Sequence, residues 1–464
     1  MSYLPKVGVL GLSLKLHDIM SPGLKQDREQ FLKKVLDSIK GAANFSFHGP
    51  CNTKQEVDDV VRIYEAEKMD ALLVIFLTYA PSLICLQALK RIQLPIIIWN
   101  TQEAVGVPYD APPRILLENH GVHGVQDLCC ALNRSEIGFH LLTGHWKDEG
   151  TLEELIRILK AANTITTLCN AKIGLVGYSM QDMGDFNVDE TAFLSQVGAS
   201  VVHIPVDELG DLVLAVPEDR VKEVMLKDKE RFHMDEGITI EEHFAAARME
   251  LAIRHLIEIY SLNAWCQHFA VLNSSDKIPC QPYLAASKLM GEGIFYAAEG
   301  DATVAAASII MNCITGNATF TEMFTMDFYD NALFMRHIGE LNISMARKDR
   351  PVRIIKKSPN DLRKSSPLTP VFSLEPGETT LISLTTGPKG KMRIVAAEGE
   401  ILDLPEAINM DSPTYKWRPY CRLKEFLNNY SAAGGSHHQA IGYGKVIKYI
   451  EFLADCMKID FIRV

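Results

Sequence analysis

Asp70-Ala-Leu-Leu-Val-Ile-Phe76 decides the fold class of this chain. Its apolar residues follow one another without alternation, so a strand here must be covered on both faces. Similar runs occur at Lys6-Val-Gly-Val-Leu-Gly-Leu12 and Pro95-Ile-Ile-Ile-Trp99, and a weaker one at Gly138-Phe-His-Leu-Leu-Thr143. Segments of helical spacing lie between and after them. From Gln26 to Lys40, the residues Phe31, Leu32, Val35, Leu36 and Ile39 share one side. Leu83 to Arg91, His123 to Asn133 and Glu153 to Ala161 read the same way. Buried strands interleaved with amphipathic helices predict a doubly wound parallel sheet.

Working outward, Lys172-Ile-Gly-Leu-Val-Gly177 restarts the pattern, with a helix from Asp189 to Val197 and a strand at Ser200-Val-Val-His-Ile-Pro205. This predicts a second doubly wound unit, with helices at Glu241 to Tyr260 and Tyr283 to Gly293, the latter ending near a turn at Glu299. After about residue 345 the pattern changes to short strands, Val352-Arg-Ile-Ile-Lys, Pro370-Val-Phe-Ser-Leu, Thr379-Thr-Leu-Ile-Ser-Leu-Thr and Lys391-Met-Arg-Ile-Val-Ala-Ala. Turns such as Glu375-Pro-Gly-Glu and Gly387-Pro-Lys-Gly separate them, as in an antiparallel barrel. The chain closes with a helix at Lys445 to Met457 and a strand at Ile459 to Val464. The expected domains are 1–168, an N-terminal α/β unit; 169–325, a central α/β unit; and 326–464, a C-terminal antiparallel β-barrel.

Composition bounds the function classes. The chain has 464 residues, 47% hydrophobic and 23% charged, with a net charge of −11. That is globular, and it argues against nucleic acid as a partner. No apolar run approaches the roughly 18 residues that span a bilayer, and the N-terminus lacks a signal-peptide layout. The ten cysteines form no CxxC pair and read as reduced thiols of a cytoplasmic protein. Gly174 and Gly177 do not complete a GxGxxG fingerprint, and no GxxxxGK[ST] follows any strand, so nucleotide binding is unsupported. In parallel sheets ligands collect at the loops after the strands. Here these are Leu12-Ser-Leu-Lys15, Thr78-Tyr79, Asn100-Thr-Gln-Glu103 and Thr143-Gly-His-Trp146, and each by itself reads more readily as an ordinary connection.

The chemistry concentrates between Tyr296 and Glu340. Tyr296-Ala-Ala-Glu-Gly-Asp301, Thr319-Phe-Thr-Glu322 and Met335-Arg-His-Ile-Gly-Glu340 offer two carboxylates and an imidazole in apolar surroundings. Gly434-Gly-Ser-His-His438 offers further imidazole. Two Glu and two His suit Mn²⁺ or a similar divalent ion. The spacings make no local motif: Glu299 and Glu322 stand 23 positions apart, Glu322 and His337 15. Each residue also fits an ordinary role: a surface turn, a solvated helix charge, a satisfied core histidine, a loop.

Taken together, these stretches resemble the L-arabinose isomerase family, within the arabinose/fucose isomerase group. Thr143-Gly-His-Trp-Lys-Asp148, Glu299-Gly-Asp301, Phe320-Thr-Glu-Met-Phe-Thr-Met-Asp-Phe328 with Arg336-His-Ile-Gly-Glu340, and Gly434-Gly-Ser-His-His438 carry the likeness, in the family's order and rough spacing. The resemblance implies a metal-dependent aldose–ketose isomerase working through a cis-enediol. It implies Glu299, Glu322, His337 and His438 as ligands of Mn²⁺ or another divalent ion, with Glu299 and Glu322 also the acid/base pair. It further implies His123, Asp301, Phe320 and Met180 as substrate contacts, and a homo-oligomer, trimer or hexamer, in which His123 reaches a neighbour's site. One loop departs from the family. A Ser-Gln-His-Leu-Tyr type sequence usually grips the sugar, and Leu12-Ser-Leu-Lys-Leu16 stands here without the Gln and Tyr. His120 stands where the family commonly has Gln. The metal centre reads as intact and the sugar pocket as altered. An epimerase of the same fold and a sugar-binding protein without turnover are the competing expectations; the second has no need of four ligands.

Overall fold

In a computed structural model of the chain, describing residues 4–358, 365–405 and 409–464, the apolar runs of the N-terminal half are strands. They are β1 (Lys6–Leu12), β2 (Asn44–Phe47), β3 (Ala71–Phe76), β4 (Ile96–Asn100) and β5 (His140–Thr143). All neighbours pair in parallel, in the order β2-β1-β3-β4-β5. Helices cover both faces. Gly8 and Gly11, three positions apart on β1, point to opposite sides. A Cβ on Gly8 would lie 2.6 Å from the ring of Tyr64, on the helix Lys54–Ala66. A Cβ on Gly11 would lie 3.0 Å from Leu32, on the helix Leu24–Ser38. This sheet belongs to one of two compact units, Met1–Thr166; the other is Thr167–Val464.

The second unit begins with β6 (Lys172–Val176) and β7 (Ser200–Ile204), then a two-residue strand β8 (His233–Met234). β9 (Ala264–Gln267) and β10 (Phe295–Ala298) complete a parallel sheet in the order β10-β9-β6-β7. The helix expected at Tyr283 to Gly293 is Tyr283–Gly291, and β10 stands between it and the Glu299 turn. A helix Ala302–Thr315 follows, with every residue from Ala302 to Met311 buried.

Antiparallel pairing starts earlier than the change of pattern at 345. β11 (Thr319–Asp327) and β12 (Ala332–Arg336) form a hairpin, so the expected boundary at 325/326 falls inside β11. Then come β13 (Arg353–Lys356), β14 (Leu368–Val371), β15 (Gly377–Thr386), β16 (Met392–Ile401), β17 (Thr414–Pro419), β18 (His438–Tyr443) and β19 (Asp460–Arg463). One sheet runs β15-β18-β11-β12-β17-β16-β19, and β15 also pairs with β16, so the ladder passes through six strands back to its start. β19 joins β16 in parallel, and β14-β13-β8 form a small separate sheet. Tyr415, Trp417, Phe426, Leu381 and Val395 pack in the core of this region. Among the described residues no helix is long and apolar enough to cross a membrane. All ten cysteines are free thiols.

Candidate metal centre

Glu299 sits in the turn that leaves β10. Its φ is 59°, a left-handed conformation that costs a side-chain-bearing residue about 1–3 kcal/mol unless its surroundings enforce it. The surroundings do so. The Gly300 N–H donates to the Gln267 carbonyl (3.1 Å), and the Met180 N–H to the Glu299 carbonyl (2.8 Å). The Ser179 hydroxyl donates to the Gly300 carbonyl at 2.8 Å. Gly300 has φ 77°, and a Cβ there would lie 2.6 Å from the Ser179 Cα. The backbone of the loop after β6 thus pins the turn.

The other three expected ligands come from the antiparallel sheet. Glu322 on β11 stands directly opposite His438 on β18, so their side chains share one face. His337 follows the end of β12. The ligating atoms of Glu299, His337 and His438 all lie within 4.8 Å of one another. Glu322 is outside that tight group, although its charge acts on His337.

Each imidazole is oriented from behind. His337 Nδ1 meets Glu340 Oε1 at 2.9 Å, and His438 Nδ1 meets Asp301 Oδ2 at 3.0 Å. Both rings therefore turn Nε2 toward the centre, the arrangement by which carboxylates fix metal-binding histidines. His438 Nε2 and Glu299 Oε2 are buried without hydrogen-bond partners and lie 3.7 Å apart. Burial pushes the Glu299 carboxyl up, but His437, His438 and His337 outweigh it and hold it below the usual range. Burial pulls His337 down; Glu340, Glu322 and Glu299 outweigh that and raise it.

The expected sugar contacts fall in different places. Asp301 is fully buried, with Oδ2 on His438 and Oδ1 accepting from the Val304 N–H (2.9 Å) and the Thr303 hydroxyl (2.6 Å). It stands behind a ligand and caps a helix, with no free oxygen turned to a sugar. Phe320 is also fully buried, its ring 5.0 Å from those of His337 and His438, so it backs the two imidazoles. Met180 is half-buried beside the Glu299 turn. His123 lies in the N-terminal unit, exposed on the first turn of the helix Gly121–Arg134 and stacked on Tyr79 at 4.3 Å. In the altered first loop, Leu16 is 55% exposed, and His17 is the buried side chain.

Three groups at the centre had no role assigned from sequence. Glu340 orients His337, and its place three positions after it was the available signal. His437 turns Nε2 to Glu299 Oε2 at 3.6 Å, while Asp185 Oδ2 accepts from its Nδ1 at 2.7 Å. Burial lowers His437, but Asp185 and Glu299 more than offset that and raise it to about 10. Asp185 lies 252 positions from His437, and nothing local marks it.

Comparison with known proteins matches three family models in order: the L-arabinose isomerase N-terminal domain over residues 22–170, its central domain over 172–317, and its C-terminal domain over 317–460. An L-arabinose isomerase of Aeromonas hydrophila is 24% identical over 400 residues, covering 83% of this chain and 79% of that protein. One from Thermotoga neapolitana is 25% identical over 421 residues, covering 88% and 83%. Among solved structures, a periplasmic solute-binding protein from Actinobacillus succinogenes with bound D-allose covers 68% of this chain and 92% of its own. At 14% identity and a TM-score of 0.18 it bears no argument. With its three domains matched in sequence from residue 22 to 460, the chain belongs to the L-arabinose isomerase family and is an aldose–ketose isomerase.

Proposed function

We propose that the chain interconverts a sugar aldose and its ketose, through a cis-enediol, at a divalent-metal centre formed by Glu299, Glu322, His337 and His438. The observation that carries this reading is the pair of buried, unpartnered atoms, His438 Nε2 and Glu299 Oε2, beside two imidazoles whose Nδ1 atoms are held by carboxylates. His437 lies 3.6 Å from Glu299 Oε2 without a hydrogen bond, and His438 Nε2 has no partner at all; a buried polar atom left so is costly unless something joins it. The donor set of two carboxylates and two imidazoles fits Mn²⁺ or a similar ion. Such an ion supplies positive charge next to the oxygens on which negative charge develops.

The chain's own groups then divide the work. One of Glu299 and Glu322 takes the proton that moves between C1 and C2, and the other hands protons to and from the oxygens. Glu340 and Asp301 hold the two ligand imidazoles in register. Phe320 walls the site on its inner side, which keeps water from the enediol. The six-strand ladder that returns to its start we read as the antiparallel barrel of the C-terminal domain. The relatives' assigned sugar, L-arabinose, marks the substrate class as an aldopentose or a close relative. A hexameric or trimeric assembly in the cytoplasm, with His123 lent to a neighbour's sugar, completes the proposal.

Glu322→Gln tests it. Loss of a charged ligand and a proton acceptor together should lower both the Mn²⁺ bound per chain and the turnover of an aldose panel. Unchanged metal stoichiometry and rate would overturn the assignment.

A further inference from the structure

We propose that, given a metal centre at Glu299, Glu322, His337 and His438, Lys357 acts with Ser412 as its positioning residue: the ammonium fixes the backbone directly after His337 and so aims that imidazole.

The four expected ligands are held unequally. Glu322 and His438 lie in paired strands, β11 and β18, whose ladder fixes their backbones. Glu299 lies in the turn pinned by the loop after β6. His337 has neither support. β12 ends at Arg336, whose partner across the ladder is Thr414, the first residue of β17. From His337 to Glu340 the chain is in no strand or helix. Glu340 turns the His337 ring through Nδ1. Ligands on loops, however, are placed less precisely than ligands on strands unless a supporting shell holds the loop.

That shell converges on Ser412. This serine is fully buried, two residues before β17. Its hydroxyl donates to the Ile338 carbonyl at 2.5 Å and accepts from Lys357 Nζ at 2.6 Å and from Arg336 Nη2 at 2.8 Å. A hydroxyl has one hydrogen and two lone pairs, and here all are used. Lys357, the residue after β13, also donates from Nζ to the Ile338 carbonyl itself. The residues on both sides of His337 are thus tied to one hydroxyl. On its other side the loop rests on the helix Tyr283–Gly291, since a Cβ on Gly339 would lie 2.4 Å from the Tyr283 ring.

Lys357 is placed for this task rather than for a surface ion pair. It is only 5% exposed. Its carboxylate neighbour, Asp411, is 3.3 Å away and 61% exposed, and Arg336 Nη2 holds that carboxylate at 2.8 Å. An exposed carboxylate at that distance offsets little of the cost of burying an ammonium. Charge-assisted hydrogen bonds to a main-chain carbonyl and a buried hydroxyl offset more.

The sign of the effect separates positioning from charge. On Coulomb grounds alone, removing a cation from the neighbourhood of a Mn²⁺ ligand should tighten the metal; a lost aim should loosen it. The test is Mn²⁺ titration of the full chain, read from the electron paramagnetic resonance signal of free metal, beside urea unfolding in chelator. Lys357→Met should weaken Mn²⁺ binding at least about tenfold. Its midpoint in chelator should stay near that of the wild type, because water takes up Asp411 and Ser412 still serves the Ile338 carbonyl. Ser412→Ala, which removes only the hydroxyl, should weaken Mn²⁺ about threefold, the effect of one neutral hydrogen bond. Mn²⁺ bound as tightly as in the wild type, or more tightly, in Lys357→Met would overturn the role. So would a weakening matched by an equal loss of stability in chelator, which marks a residue that holds the fold and not the ligand. A wild-type chain that bound no Mn²⁺ would bring down the metal centre and this role with it; wild-type binding with Lys357→Met unchanged brings down the role alone.

Discussion

Asp301→Asn separates two jobs that one carboxylate performs. Oδ1 caps the helix Ala302–Thr315 and Oδ2 holds His438 Nδ1. Asparagine keeps an oxygen for the cap, so the helix should lose little. Its amide, however, places a donor where the Nδ1 hydrogen needs an acceptor. The imidazole must then move its proton to Nε2 or turn away, and either removes the lone pair aimed at the metal. Loss of such an orienting group lowers metal affinity about 10- to 100-fold, which is about 1.4–2.7 kcal/mol. Asp301→Ala adds the lost cap, about 1 kcal/mol, and a buried imidazole N–H without a partner, about 1–3 kcal/mol. It should therefore lower unfolding free energy by roughly 2–4 kcal/mol. Affinity is read from the electron paramagnetic resonance signal of free Mn²⁺, and stability from urea unfolding in chelator. The Asn variant should fail mainly in the first assay and the Ala variant in both. An Asn variant that binds Mn²⁺ like the wild type would refute the reasoning.

Gly300→Ala should lower the urea midpoint by the equivalent of about 1–3 kcal/mol and weaken Mn²⁺ binding, because φ is 77° and the new Cβ meets the Ser179 Cα; a wild-type midpoint would count against the pinned turn. Lys288→Met removes the cation between buried Asp228 (2.6 Å) and Glu250 (2.5 Å), and thermal unfolding should show a loss of about 3–5 kcal/mol. A loss under about 1 kcal/mol would mean that water already screens the pair. With the Gln and Tyr of the first loop absent, L-arabinose should not be the best substrate in a panel of kcat/KM values that includes L-fucose, D-arabinose, L-ribulose and L-rhamnose with Mn²⁺. L-arabinose ahead by tenfold, about 1.4 kcal/mol of transition-state binding, would refute that reading of the loop.

The buried parallel strands of the N-terminal unit with continuous apolar runs were legible in the sequence, and several other strands were not. Ala71–Phe76 is buried along its whole length, so its composition alone identified it. Asn44–Phe47 is a half-exposed edge strand, and Ala264–Gln267 and Phe295–Ala298 are four residues each, too short for periodicity to tell strand from helix. The helix Lys54–Ala66 carried a readable signal, the capping box of Thr53 and Glu56, but no helix was expected there. At the site, residue types suggested the chemistry, whereas proximity had to come from the ladder. Glu322 meets His438 only because β11 and β18 pair in one register, and a shift of one residue would turn one of them to the other face. Asp301 was expected to touch sugar because its motif carries it there. Its actual partners, a helix end and a histidine 137 positions away, depend on packing.

The helix behind Asp301 has a consequence for motion. Residues Ala302 to Met311 are buried on all sides, in a stretch of Ala, Thr, Val, Ser, Ile and Met. A rod packed all round cannot slide or rotate by a fraction of a turn without opening voids. Its amides should therefore exchange hydrogen only when the whole unit opens, on the slowest timescale the molecule has. Asp301 is fastened to the end of that rod, and the His438 ring to Asp301. Accommodation of differently shaped sugars must then fall to other parts of the site, while the inner wall stays still.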